Sequence, residues 1–445
     1  MVWRPVRACG RRLLRLASAL AIAILAGVAS AQEQPPEALV REPGPEQQAA
    51  VRAEFGPGFR VLETDHFRVI SDTSPRYHRV VSGVLEQFHQ LVRPRFFDRD
   101  IKPVPFYLID TDFERFMSAR GLPNSGGYGV YDFRSRSLYA RRYFPDGRES
   151  GVGTLFHEAT HAMIHAEFEP GAPPSWFHEG FASLFEQGRV LRGRWVYGNP
   201  NPWREAPFRV AFEAGKVPAL AELLRTPDAA LQTDDANRNL LYNAGRSLFL
   251  SVLLKQGEPA LRTFVQGLRG GETAGHALEH ATGLPLAQIE SAWHQSIREV
   301  NYGGDYLERG SRPRGFDVLV EGARLFPGYG NLRLQLASAY LERRNFALAV
   351  ENARAALKDP RCTQPQLALG ILAQAILTTD ANEAARSLAE ALRYQPWSET
   401  VMKNEFEMLA WMNHKMGYTE REQALRSELA RLQAFDTKPE PSASR

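Results

Sequence analysis

Apolar and polar residues alternate through HFRVIS (His66–Ser71), the period of a half-buried strand, whereas YHRVVSGVLEQFHQLV (Tyr77–Val92) spaces its apolar residues three and four apart, as an amphipathic helix does. VPFYLID (Val104–Asp110) reads as a buried strand and FERFMSAR as a short helix. In GGYGVYDFRSRSLYARR, Tyr128–Tyr131 and Leu138–Arg141 form the two strands of a hairpin about a polar turn. Val152–Ala166 then has helical texture, and PGAPP ends it. SWFHEGFASLFE restarts as a helix, with Trp176, Phe177, Phe181, Leu184 and Phe185 as its apolar contacts. Between Asn239 and Val300 three helical segments follow, LLYNAGRSLFLSVLLKQG, EPALRTFVQGLRGG and PLAQIESAWHQSIREV, divided by Gly and Pro. Strand, helix, strand, helix, hairpin and a helical half make an α+β unit with a mixed sheet.

The flanks differ in texture. Residues 32–58 are polar and Pro-rich at first and predict a linker running into a short helix. The unit beyond divides into an α/β part over 59–150 and a helical part over 151–300, and the Gly/Arg-rich NYGGDYLERGSRPRG marks its end. Residues 316–435 form an all-α region. Within it NLRLQLASAYLERRNFALAVENARAALKDP resembles a tetratricopeptide unit, with Leu336, Ala337 and Tyr340 on one helix and Ala349, Ala353 and Ala356 on the next. The plan recurs over Gln366–Pro396, and Ala356 to Ala391 is a step of 35 residues, near the repeat's usual length of about 34. A generic helical bundle is the plainer alternative. The tail, 436–445, has the composition of a disordered segment.

Composition changes the picture at the N-terminus only. The 445 residues are 44% hydrophobic and 24% charged, ordinary for a globular protein. Of the formal charge of +3, residues 1–31 supply five arginines and no acid, so the remainder carries 3 − 5 = −2 and gives no sign of nucleic-acid binding. The arginines precede an apolar run over Leu16–Val28 and the small-residue end Ala29-Ser30-Ala31, which together predict a cleaved secretory signal peptide. The run is short for a membrane span, although an uncleaved anchor is the alternative. The expectation is a periplasmic or secreted protein with no membrane span in its mature chain. Cys362 would be its sole cysteine, which rules out an intrachain disulfide.

The candidate chemistry lies in HEATHAMIHAEFEPGAPPSWFHEGFASLFE, residues 157–186. Helical residues four apart sit about 40° apart around the axis, so His157 and His161 share a face. Both rings can then reach one zinc ion at about 2.0–2.1 Å. Glu158, one step round, is placed to hold a water and take its proton. A helix with two chance histidines is the plain alternative to this H-E-x-x-H reading. Zinc also needs a third ligand, for which His165, Glu167, Glu169, His178, Glu179 and Glu186 are candidates. His165 lies one turn further along the same helix, and Glu167 and Glu169 are too close in sequence to fold back. The 17 residues between His161 and Glu179 are ample for a turn and return.

H-E-x-x-H followed by W-F-H-E-G-F-A resembles the gluzincin metallopeptidases, the thermolysin-like clan, over about residues 60–300. The second motif echoes that of the zinc aminopeptidases, and the overall plan is similar to small peptidase-like bacterial domains of the clan. The resemblance implies one Zn2+ per chain on His157, His161 and Glu179, with Glu158 as general base. It also implies an oxyanion donor on a later helix, for which Tyr242 in YNAG stands, although the family's lysine is Ala244 here. His178 and Arg246 are further candidates to assist. The glutamate with which aminopeptidases hold a free amine has no counterpart in GGYGVYD or SLYAR, where Asp132 is the nearby acid. The hairpin instead offers an edge against which an extended substrate can pair.

The expectation is therefore an exported zinc endopeptidase acting on a peptide or protein substrate, with helical repeats that dock a protein partner. A non-catalytic peptidase-fold scaffold of the cell envelope is the main rival. An adaptor in which the repeats act alone is the second. Glu158 counts against the first, since a purely structural metal site needs no base, and the intact motifs count against the second.

Overall fold

The computed structural model describes residues 36–122, 129–142, 152–191, 194–198, 201–228, 235–299, 315–360, 362–391, 393–394, 399–415 and 417–437. The segment expected to be a signal peptide, most of the Gly/Arg-rich link and the last eight residues lie outside them. Residues 36–445 form one compact unit.

Helix α1 (Pro45–Phe55) leads into strands β1 (Arg60–Glu63) and β2 (Phe67–Ser71). Helix α2 (Pro75–Phe96), strand β3 (Val104–Ile109), helix α3 (Phe113–Ser118) and the hairpin β4 (Gly129–Asp132) and β5 (Ser137–Arg141) follow. The sheet order is β1-β2-β3-β5-β4. The β2–β3 and β3–β5 pairs are parallel, and the outer pairs β1–β2 and β4–β5 antiparallel. The alternation written in the sequence sorts the side chains. Phe67, Val69, Phe106, Leu108, Leu138 and Ala140 join the main core, while Val61, Ile70, Ile109 and Tyr139 join a smaller one with Val51, Phe113 and Met117. One face of the sheet thus meets α2 and the other meets α1 and α3.

Helix α2 starts two residues before Tyr77, where Ser74 caps it by accepting the Tyr77 N–H. Its buried face runs Tyr77, Val80, Val81, Val84, Leu85, Phe88, Val92 and Phe96. Helix α4 (Gly153–Phe168) is buried nearly all round, polar residues included, and packs against α2, β4 and β5, then against α5 (Ser175–Ala182). A small hairpin, β6 (Arg189–Leu191) and β7 (Arg194–Val196), precedes α6 (Pro202–Glu213) and α7 (Leu220–Leu223). Helices α8 (Asp235–Gln256), α9 (Glu258–Arg269), α10 (Ala274–Thr282) and α11 (Leu286–Glu299) complete this half. Four helices stand where the sequence pattern predicts three after Asn239. The extra one, α10, is short, started by a Thr273 cap and stopped by left-handed Gly283. Strand β1 and the β6–β7 hairpin are also additional, being too short to show a period.

Helices α12 (Phe316–Leu325), α13 (Gly330–Glu342), α14 (Phe346–Lys358), α15 (Pro365–Ile376), α16 (Ala381–Ala391), α17 (Glu399–Lys415) and α18 (Thr419–Thr437) follow, each packed on its sequence neighbours. Ala337, Ala349, Ala353 and Ala356 are wholly buried at these contacts, where short side chains allow close helix approach, and Cys362 is buried among them. Among the described residues no helix is long and apolar enough to cross a membrane.

His78, on α2, is buried and its Nε2 lies 3.0 Å from the Val69 carbonyl. Burial, helped by neighbouring arginines, depresses its pKa to about 3. A histidine at about 6.5 in the unfolded chain takes up protons first, so stability present above that pH drains away as the pH falls towards 3. Between pH 7.5 and pH 4, His78→Gln is expected to lose on the order of 3 kcal/mol less than wild type in denaturant titrations. Equal losses would contradict this account.

Candidate metal centre

Helix α4 presents His157 and His161 on one face, and both are buried. Their Nε2 atoms lie 3.1 Å apart. Glu179, from α5, places Oε2 3.2 Å from His157 Nε2 and Oε1 3.6 Å from His161 Nε2. Three donors on a tetrahedral zinc at about 2.0–2.1 Å would stand roughly 3.4 Å apart. Two imidazoles and one carboxylate, aimed at one point with that spacing, suit zinc chemically and geometrically.

What brings Glu179 there is the next residue. A Cβ on Gly180 would fall 2.6 Å from the Gly245 carbonyl carbon, and one on Gly245 would fall 2.5 Å from the Trp176 carbonyl oxygen. Helices α5 and α8 therefore touch backbone to backbone, with Trp176 stacked on Phe249 and Phe177 wedged between Phe249 and Phe264. This contact fixes α5 against α8.

The other third-ligand candidates are engaged elsewhere. His165 Nδ1 lies 2.8 Å from the Tyr131 hydroxyl, tying α4 to β4. Glu167 accepts the Asp98 and Arg99 N–H groups and pairs with Arg269. Glu169 pairs with Arg136. His178 is buried, and burial pushes it down to about 4, leaving a neutral ring 5.6 Å from that of His161. Glu186 has a role that the sequence did not reveal. Its Oε1 lies 3.0 Å from His157 Nδ1, while Arg204 grips both of its oxygens and Asn201 donates at 2.8 Å. A carboxylate behind a ligating histidine fixes the ring and raises its basicity.

Charge is crowded here. Burial alone would lower His157, but the Glu179 and Glu186 carboxylates outweigh it and hold the ring up at about 10. Burial drives His161 down to about 3. Burial, reinforced by Glu179 and Glu186, pushes Glu158 up to about 8. Burial would raise Glu179, but His161 and His157 bring it down to about 2. Glu158, Glu179 and Glu186 thus face two imidazoles and Arg204, and each group's charge depends on its neighbours.

Glu158 lies against β4, the last strand of the sheet. A Cβ on Gly129 would sit 2.9 Å from its Cγ, and the Tyr131 backbone bonds its carboxylate. Gly129, Val130 and Tyr131 line one side of a cleft of about 320 Å3. His157, Glu158, His161 and Glu179 form its floor, with Arg204 and Tyr242 also lining it. That volume is at the small end of ligand sites. The half-buried Tyr242 phenol is raised to about 12 by burial and the Glu179 charge, so it keeps its proton to donate. Three candidates, His178, Arg246 and Asp132, do not line the cleft. Arg246 is buried against Glu205 and the Ser183 carbonyl, and Asp132 accepts the Arg134 and Ser135 N–H groups in its own turn.

No protein-family model and no curated protein matches the chain. The solved structures that match include two of one yeast enzyme. Native yeast LTA4 hydrolase has 11% identity and a TM-score of 0.31, over 83% of this chain and 66% of that one. The same yeast enzyme with bestatin has 11% identity and a TM-score of 0.31, over 82% and 65%. This chain spans just under two thirds of their length, and at that TM-score the likeness carries no argument.

Two substitutions test how the centre is built. Gly180→Ala must part α5 from α8, and zinc affinity is expected to fall at least about tenfold in a chain that keeps its far-ultraviolet circular dichroism. Glu186→Gln is expected to lower zinc affinity about 10- to 100-fold by releasing the His157 ring. Competition with a chromophoric chelator reads both, and wild-type affinity in both variants would refute the assembly described.

Proposed function

We propose that the protein is an exported zinc-dependent metallopeptidase of gluzincin type that cuts peptide bonds within a chain. The observation that carries this reading is the convergence of His157 Nε2, His161 Nε2 and the Glu179 carboxylate, within 3.6 Å of one another, on the floor of a cleft that also holds Glu158. His157, His161 and Glu179 would hold the zinc. Bound there, it would supply Lewis-acid polarisation and acidify water.

Positive charge between the histidines favours the ionised form of Glu158, which then acts as a base. Glu158 takes a proton as the water oxygen bonds to the scissile carbonyl carbon. It returns that proton to the departing nitrogen as the C–N bond breaks. Tyr242 donates its phenolic hydrogen bond to the carbonyl oxygen as negative charge gathers there. Glu186 and Arg204 keep the His157 ring oriented.

An extended peptide is aligned by β4, whose Gly129–Tyr131 segment borders the cleft. Internal cleavage is favoured because, among the described residues, the cleft's acids are Glu158, Glu179 and the Arg204-paired Glu186, while Asp132 is held in its own turn. The helices after residue 315 are proposed as tetratricopeptide-like repeats that recruit the substrate or a protein partner in the periplasm or outside the cell.

With a mixed peptide library, the purified chain is expected to produce internal cuts that a chelator stops and zinc restores. Glu158→Gln should keep its zinc and lose about a hundred- to ten-thousand-fold in turnover. Tyr242→Phe should lose about a hundredfold in kcat with little change in KM. Turnover indifferent to chelation, or intact in Glu158→Gln, would sink this reading.

A further inference from the structure

A second set of donors converges outside the cleft. His66 lies in the β1–β2 turn, His89 on α2 and Asp100 in the connection from α2 to β3. The rings of His66 and His89 stack with centroids 3.8 Å apart. Both point Nε2 at one oxygen, with Asp100 Oδ1 3.4 Å from His66 Nε2 and 3.1 Å from His89 Nε2. These separations are again close to the roughly 3.4 Å between donors on a tetrahedral zinc.

The surroundings are those of a built site. Glu86, buried on α2, accepts the His66 N–H at Oε2, and its Oε1 lies 2.8 Å from His66 Nδ1. A proton on Nδ1 leaves the Nε2 lone pair bare and directed at the cluster, the arrangement in which a carboxylate orients a ligating histidine. His89 is only 2% exposed, and neither of its ring nitrogens makes a well-aligned hydrogen bond, although Nε2 is within ion-pair distance of Asp100. Such a group is costly to bury unless something satisfies it. Asp100 is anchored by the Ile101 N–H on Oδ1, and Arg93 lies 3.5 Å from Oδ2, drawing that oxygen outward.

A proton shared between rings and carboxylate is the competing explanation. It fails to provide for His89. Two imidazoles stacked this closely repel if both are charged. His89 Nε2 lies near the Asp100 oxygen without a straight hydrogen bond. A divalent cation satisfies all three donors together.

We propose that His66 Nε2, His89 Nε2 and Asp100 Oδ1 form a second divalent-metal site, which fastens the β1–β2 turn to α2 and to the α2–β3 connection. Two imidazoles and one carboxylate select a borderline transition ion such as zinc over calcium or magnesium. Asp100 is 48% exposed, so water can complete the coordination. The role is structural, since no cleft-lining residue is among the donors.

The test is zinc stoichiometry on the full chain after chelation and dialysis, with Zn2+ alone as the probe. Asp100→Ala and His89→Gln should each remove one equivalent, whatever number the wild type binds. Glu179→Ala should leave that equivalent in place, so failure of the cleft reading is separately visible. In Glu179→Ala, zinc should also raise the melting temperature by several degrees, and adding Asp100→Ala should abolish that rise. Asp100→Ala melting like its parent in chelator shows that the fold is intact. Zinc counts unchanged by both Asp100→Ala and His89→Gln, or no zinc-dependent rise in melting temperature in Glu179→Ala, would overturn the site.

Discussion

The contact on which the candidate centre depends is the one between Gly180 and Gly245, where two helices meet without side chains between them. It sets how closely α5 sits against α8, and α5 carries, one residue earlier, the carboxylate that comes within 3.2 Å of an imidazole. A side chain at either glycine would part the two helices and shift that carboxylate. The aromatic packing of Trp176, Phe177, Phe249 and Phe264 turns this close approach into the preferred one, because the rings fill the space on either side of it.

The sheet makes the other half of the centre. Its alternating side chains divide between two cores, and the face that holds Phe67, Phe106 and Leu138 receives α2 and α4. Helix α4 is therefore buried on nearly every side, and its polar residues have no solvent to turn to. His157, Glu158 and His161 are held by one another, by Glu179 and Glu186, and by β4. Crowded together there, the carboxylates and imidazoles shift one another's protonation.

Much of this was legible in the sequence. Period-two alternation marked β2, an apolar run marked β3, the three-and-four spacing marked α2, and the two His-Glu motifs lie where the donors meet. What was illegible has a common cause. β1, β6, β7 and α10 are too short to display a period. The service of Glu186 to His157 depends on a return of the chain that no local pattern encodes. The glycines in EGFA and YNAG could be seen as motif letters, but their reason is a contact between segments some 65 residues apart. His66, His89 and Asp100 come from three unrelated segments with no motif spacing, so only the folded chain brings them together.

The bond between the Tyr131 hydroxyl and His165 Nδ1 has a mechanical meaning. It ties the outermost strand of the sheet to the helix that holds His157, Glu158 and His161, two turns below His157. The ledge beside the cleft and the groups at its floor are thereby parts of a single stiff frame. A chain lying on that ledge would meet them at constant height, with alignment set by the folding of the protein rather than by the arrival of its guest.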